Sequence, residues 1–342
     1  MKVSIITTIY KAEKDLPRLL DSMMALQSPE LEFFLIDNGS PDRCGEICAE
    51  YAKKDSRFVV RTIQDNIGYI RARNLGIQEV DADYIGFCDS DDILEPGGYD
   101  RAIAKIKETD CDLLVAAYKD CSDDGRQTIK LPPFPSGIYR DDKLDVIRTQ
   151  VYGFLPGRQQ LKGFVWKHIY RLSIVQREHL AFIERLQPYE DEIFNIDFVN
   201  ASQCVLVDDG VIYNYVNNPA SITQKMLSRF SIQDEWNRVK LLYQERKNRA
   251  YPGVEEAVGN TMLEYLYGLV LWAVKSSSDS ISNIIKQFVS VVDHDIIDDI
   301  CRKHSANLGH KMNFFAYCMK HRHYQLLFRA IKFLLKRKYG VS

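Results

Sequence analysis

An α/β fold, built on a mainly parallel sheet with helices on both faces and followed by a helical region, is what this 342-residue sequence predicts. Three observations lead there. Over about the first 115 residues, β-branched runs alternate with stretches of helical apolar spacing, the pattern of repeated βα units. One apolar run, residues 84–88, leads directly into Asp89-Ser90-Asp91-Asp92, and Pro96-Gly97-Gly98 marks the turn beyond it. After Ser228 the strand signals give way to helical spacing.

Taken in order, residues 3–9 form a β-branched strand, and 12–26 a helix with Leu16, Leu19, Leu20, Met23 and Leu26 on one face. A second strand, 31–36, ends at Asp37. A helix at 44–54, a strand at 58–63, a helix at 70–80 and the strand at 84–88 follow. A helix at 102–107 and a buried strand at 113–117 complete the alternation. Leu131-Pro132-Pro133-Phe134-Pro135 breaks it. Residues 139–218 mix aromatic residues, charges and short elements; 255–274 and 281–292 are amphipathic, and 324–338 is a basic helix.

Length suggests about two domains, and 46% hydrophobic with 27% charged residues fits an ordinary globular chain. The formal net charge of −2 conceals an asymmetry: from Arg302 onward there are ten Lys or Arg and no Asp or Glu, so the remainder is acidic. A basic tail of this kind points to an anionic partner surface. The eight cysteines form no C-x-x-C pair, which argues against zinc and for reduced thiols. Met1-Lys2-Val3-Ser4-Ile5-Ile6 lacks the apolar core of a signal peptide. The most apolar stretch, 265–274, falls far short of the ~20 residues that cross a bilayer. The expected location is cytoplasmic, either free or peripheral at the inner face of the cell membrane.

The acidic cluster carries the chemistry. Three carboxylates at the carboxyl end of a parallel strand lie where open α/β sheets bind ligands. Their mutual repulsion is relieved by a hard cation such as Mn²⁺ or Mg²⁺, which also coordinates substrate phosphates. The G-x-G-x-x-G dinucleotide fingerprint and the P-loop are both missing, so phosphate charge must be met by metal and side chains.

Four segments, in order, resemble the family 2 inverting glycosyltransferases with the GT-A fold. They are Val3-Ser4-Ile5-Ile6-Thr7-Thr8-Ile9-Tyr10, Leu35-Ile36-Asp37-Asn38-Gly39-Ser40-Pro41-Asp42, Asn66-Ile67-Gly68-Tyr69-Ile70-Arg71-Ala72-Arg73-Asn74-Leu75-Gly76-Ile77 and the Asp-Ser-Asp-Asp cluster. The resemblance implies a GT-A-like mixed, mainly parallel sheet over 1–225, with a nucleotide-binding half at about 1–120 and an acceptor half at about 121–225, before a helical region at 226–342. It also implies a UDP-sugar donor and a saccharide, glycolipid or glycoprotein acceptor in surface-glycan synthesis.

The family match assigns donor contacts to Thr8, Tyr10, Asp37, Asn66, Gly68, Arg71, Arg73, Asp89 and Ser90. Asp37 would accept from the uracil N3–H, Tyr10 would stack on the base or belong to the core, and Arg73 and Arg71 would reach the base or phosphates. Asp91 would bind the metal directly, with Asp89 on the ribose or the metal's hydration shell; Asp92 would sit behind them or cap the next turn. Lys11 stands where the family's opening strand usually has Asn.

Inversion needs a carboxylate to take the acceptor hydroxyl's proton. Pro188-Tyr189-Glu190-Asp191-Glu192-Ile193-Phe194 resembles the family's E-D-E segment and makes Asp191 the expected base, with Glu190 second. Acidic residues in a helix's first turn are also favoured by the macrodipole alone. Val165-Trp166-Lys167-His168-Ile169-Tyr170-Arg171 and the segment from Tyr213 to Ile222 are weaker matches. They suggest Trp166 as an acceptor-stacking or core residue, His168 as a phosphate contact or structural residue, and Tyr215 and Ser221 as lid or phosphate contacts.

In the basic helix, Tyr324, Leu327, Phe328, Ile331, Leu334 and Leu335 make one apolar stripe with Arg329, Lys332 and Lys336 on other faces. That suits an anionic membrane surface or a packing helix; nucleic acid is disfavoured because the aromatics lie in the apolar stripe. Two other classes compete with a glycosyltransferase. A sugar-nucleotide nucleotidyltransferase should show an early glycine-rich loop, which is missing, and an inactive scaffold should have lost its carboxylates, which are intact.

Overall fold

The computed structural model describes residues 1–122, 125–156, 161, 163–218 and 231–339. The chain divides into two compact units: Met1–Arg148, Lys162–Glu184 and Glu190–Pro219 form the first, and Thr149–Leu161, Arg185–Tyr189 and Ala220–Ser342 the second.

Four parallel strands, β1 (Val3–Ile9), β2 (Leu31–Asn38), β3 (Phe58–Ile63) and β4 (Tyr84–Asp89), are joined by α1 (Leu16–Met24), α2 (Cys44–Lys54) and α3 (Tyr69–Glu79). Next come β5 (Ile93–Leu94), α4 (Gly98–Thr109), β6 (Leu113–Cys121), β7 (Gln127–Lys130), β8 (Gly137–Tyr139) and α5 (Leu144–Tyr152). The first unit closes with β9 (His168–Arg171), α6 (Leu172–Arg177), α7 (Glu190–Ala201) and β10 (Val205–Val216). Strand order is β3-β2-β1-β4-β9-β6-β10-β5, with β7 beside β6 and β8 beside β10. The sheet is mixed because β9 inserts antiparallel between β4 and β6. Sequence reading left 168–171 unassigned, since a four-residue run has too little length for a period to register.

α1 buries Leu16, Leu19, Leu20 and Met23 in one cluster with Val3, Ile5 and Ile9. Burying each such side chain stabilises by roughly 1.5–3 kcal/mol. The helix starts at Leu16, not at residue 12. Lys11 turns the chain with φ 54°, and Pro17, lacking an N–H, fits only in the first helical turn. α3 lies close on the sheet at Gly76, where an added Cβ would sit 2.6 Å from Ile6 Cγ2 and 2.9 Å from Ile36 Cδ1. The glycine of the third motif is thereby explained by packing.

The second unit contains α8 (Ile232–Arg249), α9 (Glu255–Ser276), α10 (Ile281–Val291), α11 (His294–Lys303), α12 (His310–Lys320) and α13 (Tyr324–Tyr339). Ser231, Ser280 and Asp293 cap α8, α10 and α11 by accepting from first-turn N–H groups. In α13 the apolar stripe is largely core: Tyr324, Leu327, Phe328, Ile331 and Leu335 are buried, Tyr324 and Phe328 against Phe288 of α10. Of the two readings of this stripe, packing accounts for these five side chains; Leu334 alone of the stripe is exposed. The outward face instead carries Leu326 and Phe333 with Arg329, Lys332, Lys336 and Arg337. Among the described residues no helix is long and apolar enough to cross a membrane. The eight cysteines are free thiols, seven of them buried.

Candidate active site

Strand register gathers the first candidates at one sheet edge. Thr8 of β1 pairs with Asp89 of β4, and Ile9 pairs with Asp37 of β2, so the ends of three parallel strands meet. Asp37 is buried and accepts from the Ser40 N–H (3.1 Å), leaving further carboxylate acceptor capacity. Asp42, not Asp37, accepts from the Cys44 N–H at the start of α2. Tyr10 is exposed just past β1, with Lys11 Nζ 5.2 Å from its ring. Asn66 accepts from the Gly68 N–H (2.8 Å), while Asn38 accepts from the Ile67 N–H and so holds this loop against β2. Gly68 precedes α3 with φ 87°, a left-handed conformation that glycine adopts without strain.

The acidic turn is braced from β10. Asp92 is buried and accepts from the Tyr213 hydroxyl (2.6 Å) and the Val216 N–H (2.7 Å). Burial, then the neighbouring Asp89 charge, pushes the Asp92 pKa well up. The Tyr213 hydroxyl also accepts from the Asp89 N–H (3.1 Å), and Asn218 Nδ2 donates to Asp91 Oδ2 (2.8 Å). Ser90 and Asp91 are half-buried between these tethers. Asp92 thus anchors the turn to β10.

Arg73 joins the two acidic sites. It is buried; Nη1 donates to Asp191 Oδ1 (2.9 Å) and Nη2 to Asp89 Oδ1 (3.2 Å). The rings of Phe182, Tyr69 and Phe87 lie 5.0, 5.5 and 5.5 Å from its guanidinium carbon. Burial alone would lower the Arg73 pKa, but Asp191, Asp89 and Glu190 hold it above the usual value. Asp191 opens α7, and its Oδ2 faces the Val165 N–H at 3.4 Å. Burial lifts the Asp191 carboxyl to about 7, with Arg73 opposing and Glu190 and Asp89 adding. Glu190 is buried, accepts from the Tyr69 hydroxyl (2.5 Å), and leaves Oε2 without a partner among the described residues.

Several expectations change. Arg73 spends its fork on Asp89 and Asp191, which makes it a carboxylate clamp. Arg71 is exposed and pairs with Glu184 (2.7 Å). His168 is fully buried, with Nδ1 beside the Tyr170 hydroxyl and Asn195 Oδ1; its pKa is driven down, mainly by burial, so it is a core residue and not a phosphate contact. Trp166 is 5% exposed and stacks on Phe164, Tyr213 and Tyr215, which makes it core and leaves no ring for an acceptor. Tyr215 is half-buried in that stack. Ser221 lies outside the described residues. Sequence reading missed Tyr69, Asn38 and the bracing role of Tyr213, whose partners are all distant along the chain.

No group of three His, Cys, Asp or Glu side chains converges among the described residues. Mn²⁺ and Mg²⁺ do not require one, since they bind through one or two carboxylates and complete their shell with water and phosphate. Burial first, and then the Asp91 charge, raises the Asp89 pKa against the pull of Arg73. Asp91 and Asp89 would hold Mn²⁺ or Mg²⁺ through oxygens of the hard type such a cation needs, and its charge would relieve that repulsion. The residues fit the ion.

Residues 4–163 match the family model "Glycosyl transferase family 2". An uncharacterized glycosyltransferase of Bacillus subtilis, EpsJ, is 32% identical over 232 residues, 65% of this chain and 63% of the relative. The putative glycosyltransferase EpsH of the same organism is 28% identical, again over 63% of its length. The chain therefore spans just under two thirds of these curated relatives. The poly(ribitol-phosphate) beta-N-acetylglucosaminyltransferase TarS of Staphylococcus aureus is 24% identical over 62% of this chain and 35% of its own length. A crystal structure of TarS 1–349 in complex with UDP-GlcNAc superposes with a TM-score of 0.67 at 18% identity, covering 98% of this chain and 92% of that one. That likeness establishes the fold.

Proposed function

We propose that the protein, whose residues 4–163 match the glycosyl transferase family 2 model, transfers a sugar from a UDP-sugar to an acceptor hydroxyl with inversion, using Mn²⁺ or Mg²⁺. The observation that carries this reading is the Asp89–Arg73–Asp191 bridge. A carboxylate suited to diphosphate-bound metal and a carboxyl poised near neutral pH are held a single guanidinium apart.

Asp37 would accept from the uracil N3–H, and Tyr10 would cover the base. Asp91, with Asp89, would hold the cation, which when bound supplies charge neutralisation of the leaving diphosphate. Asp191 would take the proton from the acceptor hydroxyl as its oxygen attacks the anomeric carbon. The new C–O bond forms as the C–O bond to UDP breaks, and UDP leaves with the bonding electrons. A base with a pKa near 7 balances availability against proton affinity. Arg73 holds Asp191 in place and, through Asp89, couples its position to the donor site.

The acceptor would be a saccharide, glycolipid or glycoprotein of a surface glycan. The exposed Leu326 and Phe333 among exposed basic residues on α13 support attachment to an anionic membrane surface. Screening a panel of UDP-sugars for metal-dependent hydrolysis, with UDP release as readout, tests the donor class. Release from none of them, with or without Mn²⁺, would remove the proposal's basis.

A further inference from the structure

Trp166 is enclosed, but the ring stacked upon it is not. Phe164 lies 5.1 Å from Trp166 with an interplanar angle of 12°, and it is 39% exposed where Trp166 is 5% and Tyr213 0%. Phe164 is thus the outermost ring of an aromatic stack whose inner member, Tyr213, braces Asp92. Its neighbour in sequence, Val165, directs its N–H toward Asp191 Oδ2. A partly exposed aromatic ring, with Lys167 Nζ 5.8 Å from its centroid, therefore stands one residue from the contact to the proposed base.

From this placement we propose that Phe164 is an acceptor-binding residue, on which the apolar face of a pyranose ring stacks while its hydroxyl meets Asp191. The proposal rests on the transferase reading above. A pyranose presents several axial C–H bonds on one face, and these carry partial positive charge that suits the negative face of an aromatic ring. The stack beneath Phe164 fixes the ring plane in advance, so little freedom is lost when a sugar settles on it. Aliphatic polyols lack such a face and would gain little from the ring. Phe164 thus selects cyclic over open-chain acceptors.

The test uses the full-length protein with Mn²⁺ and UDP, and as probes the methyl β-pyranosides of glucose, galactose and N-acetylglucosamine, with glycerol as the acyclic control. Saturation-transfer NMR should mark the axial ring protons of at least one pyranoside bound to the wild type. Phe164→Ala and Phe164→Leu should weaken that pyranoside about 3- to 10-fold, the scale of one aromatic contact. Phe164→Tyr should restore it, and glycerol should be indifferent to all three. Metal-dependent UDP affinity should stay at the wild-type level in every variant. Absence of pyranoside binding to the wild type, or equal binding by Phe164→Leu, overturns the proposal. So does a loss of UDP affinity in the variants, which would put the ring on the donor side. Failure of the wild type to bind UDP would instead sink the transferase reading, so the two failures are separable.

Discussion

Asp191 should govern an acid limb in the pH profile of the free enzyme, and its two charged neighbours should move that limb in opposite directions. Burial is the main reason that its carboxyl titrates at about 7. The base must be ionised to accept a proton, so kcat/KM for UDP-sugar hydrolysis rises with pH through about 7 and then levels. At one pH unit below the limb the ionised fraction is about a tenth, so the rate should fall about tenfold there. Glu190 raises the Asp191 pKa and Arg73 lowers it. Glu190→Gln should therefore shift the limb to lower pH, and Arg73→Gln to higher pH. Asp191→Asn should cut turnover at least ~10²-fold, abolish the limb, and leave donor affinity nearly unchanged. The assay is initial-rate UDP release between pH 5.5 and about 8.5 at fixed Mn²⁺, a range set to bracket the limb. Shifts of the same sign in the two neighbour variants, or an unaltered limb in the residual activity of Asp191→Asn, would refute the assignment.

Asp91→Ala should abolish Mn²⁺-dependent UDP binding measured by calorimetry while circular dichroism stays native; retained metal-dependent affinity would contradict the ligand role. Gly76→Ala should lower the thermal midpoint, with a loss of roughly 1–3 kcal/mol from overpacking against Ile6 and Ile36, and an unchanged midpoint would show that α3 is free to move away. On α13, the combined Lys332→Glu, Lys336→Glu and Arg337→Glu variant should lose binding to anionic liposomes at low salt, where each basic residue contributes about 1 kcal/mol. Its fold should persist, because those side chains are exposed; wild-type liposome binding by the variant, or none by the native protein, would rule out the membrane face. Truncation after His323 should, by contrast, destabilise the second unit, since it removes Phe328 and Ile331 from the core.

What could be read in advance was local or periodic. The alternation of β1 to β4 with α1 to α3 shows in hydrophobic spacing, and the acidic turn follows because an apolar run must stop where three carboxylates begin. The choice of Asp191 came from a segment resemblance, and its environment could not have been foreseen: Arg73 and Asp191 are 118 residues apart along the chain. Arg73 read as a contact to the donor's base or phosphates, and only the packing of Phe87 and Phe182 around it shows why it stays inside. Trp166 and Phe164 illustrate the same limit. Both are aromatic residues beside a functional segment, yet nothing in their order tells which covers the other. The stripe on α13 was legible as a stripe, but spacing identifies an apolar face without identifying what it meets.

Stereochemistry tests the central claim most directly. With whichever α-linked UDP-sugar the donor panel selects, proton NMR recorded during the first minutes of metal-dependent hydrolysis reports UDP release and the anomer of the freed sugar together, before mutarotation mixes them. Single displacement assisted by Asp191 predicts the β anomer as the first product, absent in Asp191→Asn. Initial release of the α anomer, or β anomer formed equally fast by Asp191→Asn, would contradict it.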